Sequence, residues 1–240
     1  MPMPRRRALL QGLSTAFTLA LPALPGRAAP VAPFQRLAVL EPPFVERYDV
    51  LIAMAPPLAR TTLGKLVTSV VSEIDEQQKS ESLTATLDPD RTHLHQQFLL
   101  GLADALDDAG ARVLRVPTEP ADSETALFNQ VRQRAPQADA LMLANVSGRF
   151  VALHGADTYA PSVVVGVKVL PAAGGAPWLE AVFSAGFRAL DPRAVHLDGV
   201  DMPERFLSHG ALLAQADAAR AALQRGAEAI GTEVAQRLMG

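Results

Sequence analysis

Between Leu58 and Ile74, apolar residues fall at 58, 63, 66, 67, 70, 71 and 74, with Arg60, Lys65, Ser69, Glu73 and Asp75 on the opposite side of the wheel. Steps of three and four predict an amphipathic helix. The polar run Glu73 to Thr86 reads as an exposed end or loop. Asp88-Pro89 then offers an N-cap acid with Pro at the first helical position. Leu94, Phe98, Leu102, Leu106 and Ala109 mark the buried side of that helix, and Gly110 ends it. A shorter helix is expected from Ser123 to Ala135, closed by Pro136.

Strand patterns lie between these helices. Arg36 to Leu40 is a compact apolar run ended by Pro42-Pro43, and Arg112 to Val116 is a second run ended by Pro117. Ala140 to Val146 is apolar almost throughout, as a central strand buried on both faces would be. Ser162 to Leu170 and Leu179 to Phe187 alternate, with Val163, Val165, Val167 and Val169 on one side of the first and Leu179, Ala181, Phe183, Ala185 and Phe187 on one side of the second. Pro171 to Pro177, with Gly174-Gly175, predicts that these two form an antiparallel hairpin. Asp201-Met202-Pro203-Glu204 reads as a further helix start, and Leu212 to Leu238 as a long, Ala-rich C-terminal helix whose Gly226 and Gly231 permit close approach. The expected fold is α/β (α+β): a mixed sheet of about five strands in the order β-α-β-α-β-β-β-α, with helices on one or both faces.

The first residues change the picture of where this domain works. Met1 to Arg7 is basic, Ala8 to Leu24 is apolar and uncharged, and Gly26-Arg27-Ala28 places small residues for cleavage after Ala28. Residues 1–28 therefore read as a signal peptide and 29–240 as a single exported domain, with Ala29 to Gln35 as a tether and 44–87 as a helical excursion. The apolar stretch is short and broken for a membrane helix, and no other segment is long enough to span. Arg6-Arg7-Ala8-Leu9-Leu10-Gln11 resembles a twin-arginine export signal, although Arg5 stands where Ser or Thr is usual; the general secretory route is the alternative. The chain has no cysteine, which excludes disulfides, thiolate chemistry and the acylated Cys of a lipoprotein. The leader holds four arginines and no acid, so the formal charge of −3 becomes −7 on its removal. That balance argues against nucleic acid and against charge-driven docking on anionic lipid.

Candidate chemistry is sparse. His93-x-His95 lacks the helical offset for joint metal ligation, and no acid completes a ligand set. Asp88-x-Asp90-x-Thr92 starts like a calcium loop but has His93 where Gly is required. Ser147-Gly148 lacks the first Gly of a nucleophile elbow, and nothing in the spacing assigns His154, His196 or His209 to a serine. Gly174-Gly175 has no dinucleotide or P-loop context. No catalytic, cofactor or metal residue is assigned. The candidate partner interface is the apolar stripe carrying Leu63, Leu66 and Val70, together with Arg149, Phe150 and Tyr159, where an aromatic beside Arg suits a protein contact.

Leu37-Ala38-Val39-Leu40-Glu41-Pro42, Leu102 to Val116, Ala138-Asp139-Ala140-Leu141 and Val163 to Leu170 together resemble the TolB amino-terminal domain and the CsgG-type envelope assembly proteins. The resemblance covers roughly residues 36 to 188 at the level of pattern. It implies a non-enzymatic envelope protein that binds other proteins or assembles with itself. The lipobox Cys and the β-propeller of those families are missing, so neither a lipid anchor nor the Tol machinery is implied. The resulting expectation is a periplasmic accessory or assembly protein that binds an envelope protein or itself. A periplasmic hydrolase and a small-molecule or lipid carrier are the alternatives. A deep polar cleft in which a His or carboxylate has a partner in hydrogen-bond reach would favour the enzyme, and an enclosed apolar pocket the carrier.

Overall fold

The computed structural model describes residues 33–41, 46–53, 62–153, 158–188 and 193–240, with side chains at 53, 62–74 and 153 excepted. The leader, the Ala28 cleavage point and the Leu63, Leu66 and Val70 side chains lie outside that description.

Seven strands form a mixed sheet: β1 (Arg36–Glu41), β2 (Tyr48–Ala53), β3 (Arg112–Pro117), β4 (Ala140–Leu153), β5 (Tyr159–Pro171), β6 (Leu179–Gly186) and β7 (Val195–His196). The spatial order is β3-β1-β4-β5-β6-β7, with β2 also on β4. β1 is parallel to β3 and β4, whereas β4-β5 and β5-β6 are antiparallel. The α+β class, the mixed sheet and the predicted hairpin are all present; β2 and β7 are additions. The helices are α1 (Thr62–Leu87), α2 (Pro89–Thr92), α3 (Leu94–Asp107), α4 (Glu124–Arg134), α5 (His209–Ala214) and α6 (Ala216–Met239). None of them is long and apolar enough to cross a membrane, among the described residues.

Alternation divides the core in two. Leu37, Val39, Ala140, Met142, Val163, Val165 and Phe183 face α3 and α6. Ala38, Leu40 and Leu141 face Phe128 and Val131 of α4 on the other side. The α3–α6 contact is unusually close because glycine removes the side chain at both crossing points. A Cβ on Gly101 would stand 2.1 Å from the Glu228 carbonyl oxygen, and one on Gly231 2.1 Å from that of Phe98. Gly148 likewise admits Leu94 and Leu223 against the sheet.

Several expected boundaries move. Glu73 to Thr86 is helix rather than loop, because its polar side chains have backbone partners. Thr84 Oγ1, Ser80 Oγ and Glu76 Oε1 accept from the N–H groups of Tyr48 (3.0 Å), Val50 (2.9 Å) and Ile52 (3.2 Å). Side chains four residues apart on α1 thus cover the outer edge of β2, which would otherwise expose unpaired donors. The helix expected from Asp88 is split: Asp88 caps α2 through Asp90 N, and His93 adopts a left-handed φ of 47° that re-aims the chain into α3. Asp201 to Glu204 is not helical; α5 starts later, behind the Ser208 cap, and Glu204 instead pairs with Arg225. β4 runs to Leu153 rather than Val146.

Gly231→Ala and Gly101→Ala each push backbone apart at the α3–α6 crossing and should destabilise the fold by about 1–3 kcal/mol. Gly210→Ala, where a Cβ would meet only Ser208 Oγ at 3.8 Å, should leave the denaturation midpoint unchanged or slightly raised. Urea unfolding of the three variants checks this.

Candidate functional site: a polar cleft beside β4

β1 and β2 lie along the same edge of β4 without meeting. Val39 pairs with Met142 and Tyr48 with Gly148, so nine positions separate the first pair member from the second on one side and six on the other. Leu143 to Ser147 have no strand partner on this edge among the described residues. A cleft of about 680 Å³ opens there, walled by Glu41, Glu46, Asp49, His95, Arg115 and Arg149 among others. It stands outside the carboxyl end of β1, where the chain order turns from β3 on one side to β4 on the other, which is where open sheets of this kind offer a crevice.

The acidic groups on its wall are held in place. Glu46 Oε2 accepts from Leu94 N (3.0 Å) and Oε1 from His95 N (2.9 Å), so a residue distant in sequence caps the first turn of α3. His93, at the N-cap position, makes no side-chain cap bond. The Tyr48 hydroxyl donates to Glu46 Oε2 at 2.6 Å. Burial first, then the Glu46 carboxylate, pushes the Tyr48 phenol well above its ordinary range. Glu41 pairs with Arg115, and Asp49 lies 3.7 Å from Arg47. Asp90 stands exposed at the rim. His95 is kept neutral mainly by burial, against the pull of Glu41 and Glu46, and its Nε2 is buried without a hydrogen-bond partner. Arg149 makes one bond, from Nη2 to Ser147 Oγ at 3.3 Å, and its Nε is buried and unpartnered. The cleft therefore brings a His and carboxylates together, but no described acid or base in it is within hydrogen-bond reach of a free nucleophile.

The predicted interface residues separate. Arg149 lines the cleft, whereas Phe150, its neighbour, points through the sheet and is fully buried, edge-on to Phe206 at 5.6 Å. Tyr159 is also buried, 6.1 Å from His209. Neither aromatic is open to a partner. The reason is the length of β4: residues expected in a loop are in a strand, and alternation turns adjacent side chains to opposite faces. His93 and His95 both line the cleft, His93 at the α2–α3 break and His95 in the first turn of α3. No group of three His, Cys, Asp or Glu suited to a metal occurs among the described residues.

A serine–histidine contact exists elsewhere, across β6 and β7. Ser184 Oγ lies 3.1 Å from His196 Nδ1, and His196 Nε2 lies 4.0 Å from the Asp198 carboxylate. Ser184 is 0% exposed and the Asp198 side chain 99%. The hydroxyl is closed to substrate and the carboxylate is not fixed, so the contact ties β7 to the sheet. His154 lies outside the described residues. His209 is buried enough to favour its neutral form, and its Nε2 is unpartnered.

A second hollow of about 510 Å³ continues from the cleft across β4, β5 and β6, and Asn145 lines both. Its floor is Leu143, Gly166, Lys168 and Val182. Lys168 reaches Glu124 of α4 at 3.0 Å and Glu180 at 3.5 Å. This is the sheet face opposite α3 and α6, and α4 covers its β1 and adjoining β4 part.

Two outcomes follow from the Glu46 cluster. Glu46→Ala removes the α3 cap and orphans the Tyr48 hydroxyl, which should cost about 2 kcal/mol or more in urea unfolding. Because the folded state holds the Tyr48 proton more tightly, the stability it contributes is complete below about pH 10 and is lost as pH rises beyond it. Stability measured against pH should fall less steeply in the alkaline range for Tyr48→Phe than for the unsubstituted protein.

The sequence matches no protein-family model, and no curated protein is similar to it. Among solved structures the chain is similar to a Xanthomonas campestris protein of the family-model DUF330, at 13% identity and a TM-score of 0.35, over 84% of this chain and 81% of that one.

Proposed function

We propose that this protein is exported to the periplasm and works there without catalysis, as an accessory or assembly protein that binds an envelope protein or a second copy of itself. The observation that carries this reading is the sheet face beyond α4, which no helix covers among the described residues. Asn145, Ser147, Val164, Gly166 and Val182 set polar, small and apolar groups side by side on an antiparallel floor, Asn145 exposed and the others half-buried, with no covering helix among the described residues. Such a mixed surface is the usual composition of a protein contact. The cleft beside it does bring His95 and carboxylates together, the arrangement expected of an enzyme, so the binding reading rests on the sheet face; Glu41, Glu46 and Asp49 each already have a partner. The resemblance of residues 36–188 to the TolB amino-terminal and CsgG-type proteins points in the same direction. An enclosed apolar pocket, as a carrier needs, is not what these hollows offer: both are open, and charged side chains line them.

Photo-cross-linking residues placed singly at Asn145 and Val182, with Ala218 on the far side of the molecule as control, test the reading in intact cells. Adducts are expected from the two sheet-face positions and not from Ala218, and the mature protein should begin at Ala29. Adduct mass separates self-association from a different partner. Adducts absent from the sheet face, or equal at all three positions, would remove the proposal.

A further inference from the structure

We propose that Arg149 seats a carboxylate of the partner, an acidic side chain or a chain end, in the cleft between β1 and β2. This rests on the protein-binding reading above and names the chemistry of its central contact. The cleft holds three arginines. Arg115 is bound to Glu41 and Arg47 stands against Asp49, but Arg149 has no carboxylate within ion-pair distance among the described residues. Its single bond is the long one to Ser147 Oγ, at 3.3 Å. A guanidinium carries five N–H donors in a planar fork, so four remain without a protein acceptor, and the Nε among them is buried. A buried donor left unpaired on a charged group is costly, and a planar acceptor such as a carboxylate answers it in two parallel bonds.

The rest of the wall selects among anions. Glu41, Glu46, Asp49 and Asp90 face the same space, so a doubly charged phosphate would meet four carboxylates against one unpaired guanidinium. A singly charged, planar carboxylate is tolerated better. Ala144 and Val146 supply small apolar wall beside it, suited to the methylene stem of an acidic side chain. The position also fits the wider surface: Asn145 joins the cleft to the hollow over β5 and β6, so a partner lying on the open sheet face reaches Arg149 at its margin.

The first arm of the test uses the whole isotope-labelled protein and small probes. The Arg149 Nε–Hε resonance, identified by its loss in Arg149→Lys, is followed as N-acetylglycine is added. N-acetylglycinamide, sodium chloride and inorganic phosphate serve as controls. A saturable shift with N-acetylglycine, absent with the amide and with chloride, is expected. No saturable shift, or a response to phosphate as strong as that to N-acetylglycine, overturns the proposal. The second arm repeats the Asn145 cross-link. Arg149→Gln should lower the adduct yield about tenfold, as loss of a charge-assisted bond does, and Arg149→Lys should recover part of it. An undiminished yield in Arg149→Gln overturns the carboxylate contact while the binding reading stands. If the unsubstituted protein gives no adduct, the binding reading fails, and the first arm alone decides whether Arg149 is a carboxylate site.

Discussion

Two glycines facing each other's backbone set the spacing of this molecule. Gly101 on α3 and Gly231 on α6 leave no room for a Cβ at the crossing. The helices can then lie side by side as one slab on the sheet. With that spacing, Leu94 and Leu223 both reach the bare backbone of Gly148, and Phe98, Leu102, Ala227 and Ile230 close the core over β4 and β5. A wider helix pair would leave voids that no described residue is placed to fill, and a dry void forfeits packing contacts outright. The position of the first turn of α3, and hence of His95 and the cleft wall, is inherited from that crossing.

Around this slab, distant side chains finish what local sequence leaves open. Glu46 caps α3 from across the chain. Arg220 of α6 donates to the Leu87 carbonyl at the end of α1, and Thr92 donates to the same oxygen. Thr84, Ser80 and Glu76 take the N–H groups along the edge of β2. Each of these satisfies a backbone group that would otherwise be orphaned. Together they lock α1, α2, α3 and β2 into one frame, and the cleft is the space that frame encloses against β4.

These long-range bonds also explain which parts of the structure were legible in the sequence. The hairpin of β5 and β6, the strand segments of β1, β3 and the start of β4, and the C-terminal helix follow from periodicity, which each segment carries in itself. The polar run of α1 looked like a loop because its hydrophilic residues are meant for a strand edge, and no local pattern distinguishes that from solvent. The break at His93 is invisible for a similar reason: the apolar spacing continues across it, while the left-handed residue shifts the phase. Phe150 and Tyr159 were misplaced by a strand boundary. Once β4 runs past Val146, strict alternation makes Arg149 and Phe150 face opposite ways, so they cannot belong to one surface. Glu46 carried no signal at all, since a lone Glu between two strands has no periodic context.

The same alternation gives Arg149 its meaning. Had β4 ended at Val146, Arg149 would be a solvated loop cation, free to find water in every direction. Held in a strand between Ser147 and Val151, it is committed to one face and half-buried there, with neighbouring acids already taken by Arg115, Arg47 and the start of α3. A charge in that position is not stabilising on its own account. The fold leaves it the one unpaired guanidinium in the cleft, at the margin of a broad stretch of sheet that no described helix covers. Glu41, Glu46 and Asp49 already have partners, whereas Arg149 keeps a donor fork of fixed direction turned to the cleft, and it is on that fork that the proposed recognition of a carboxylate rests.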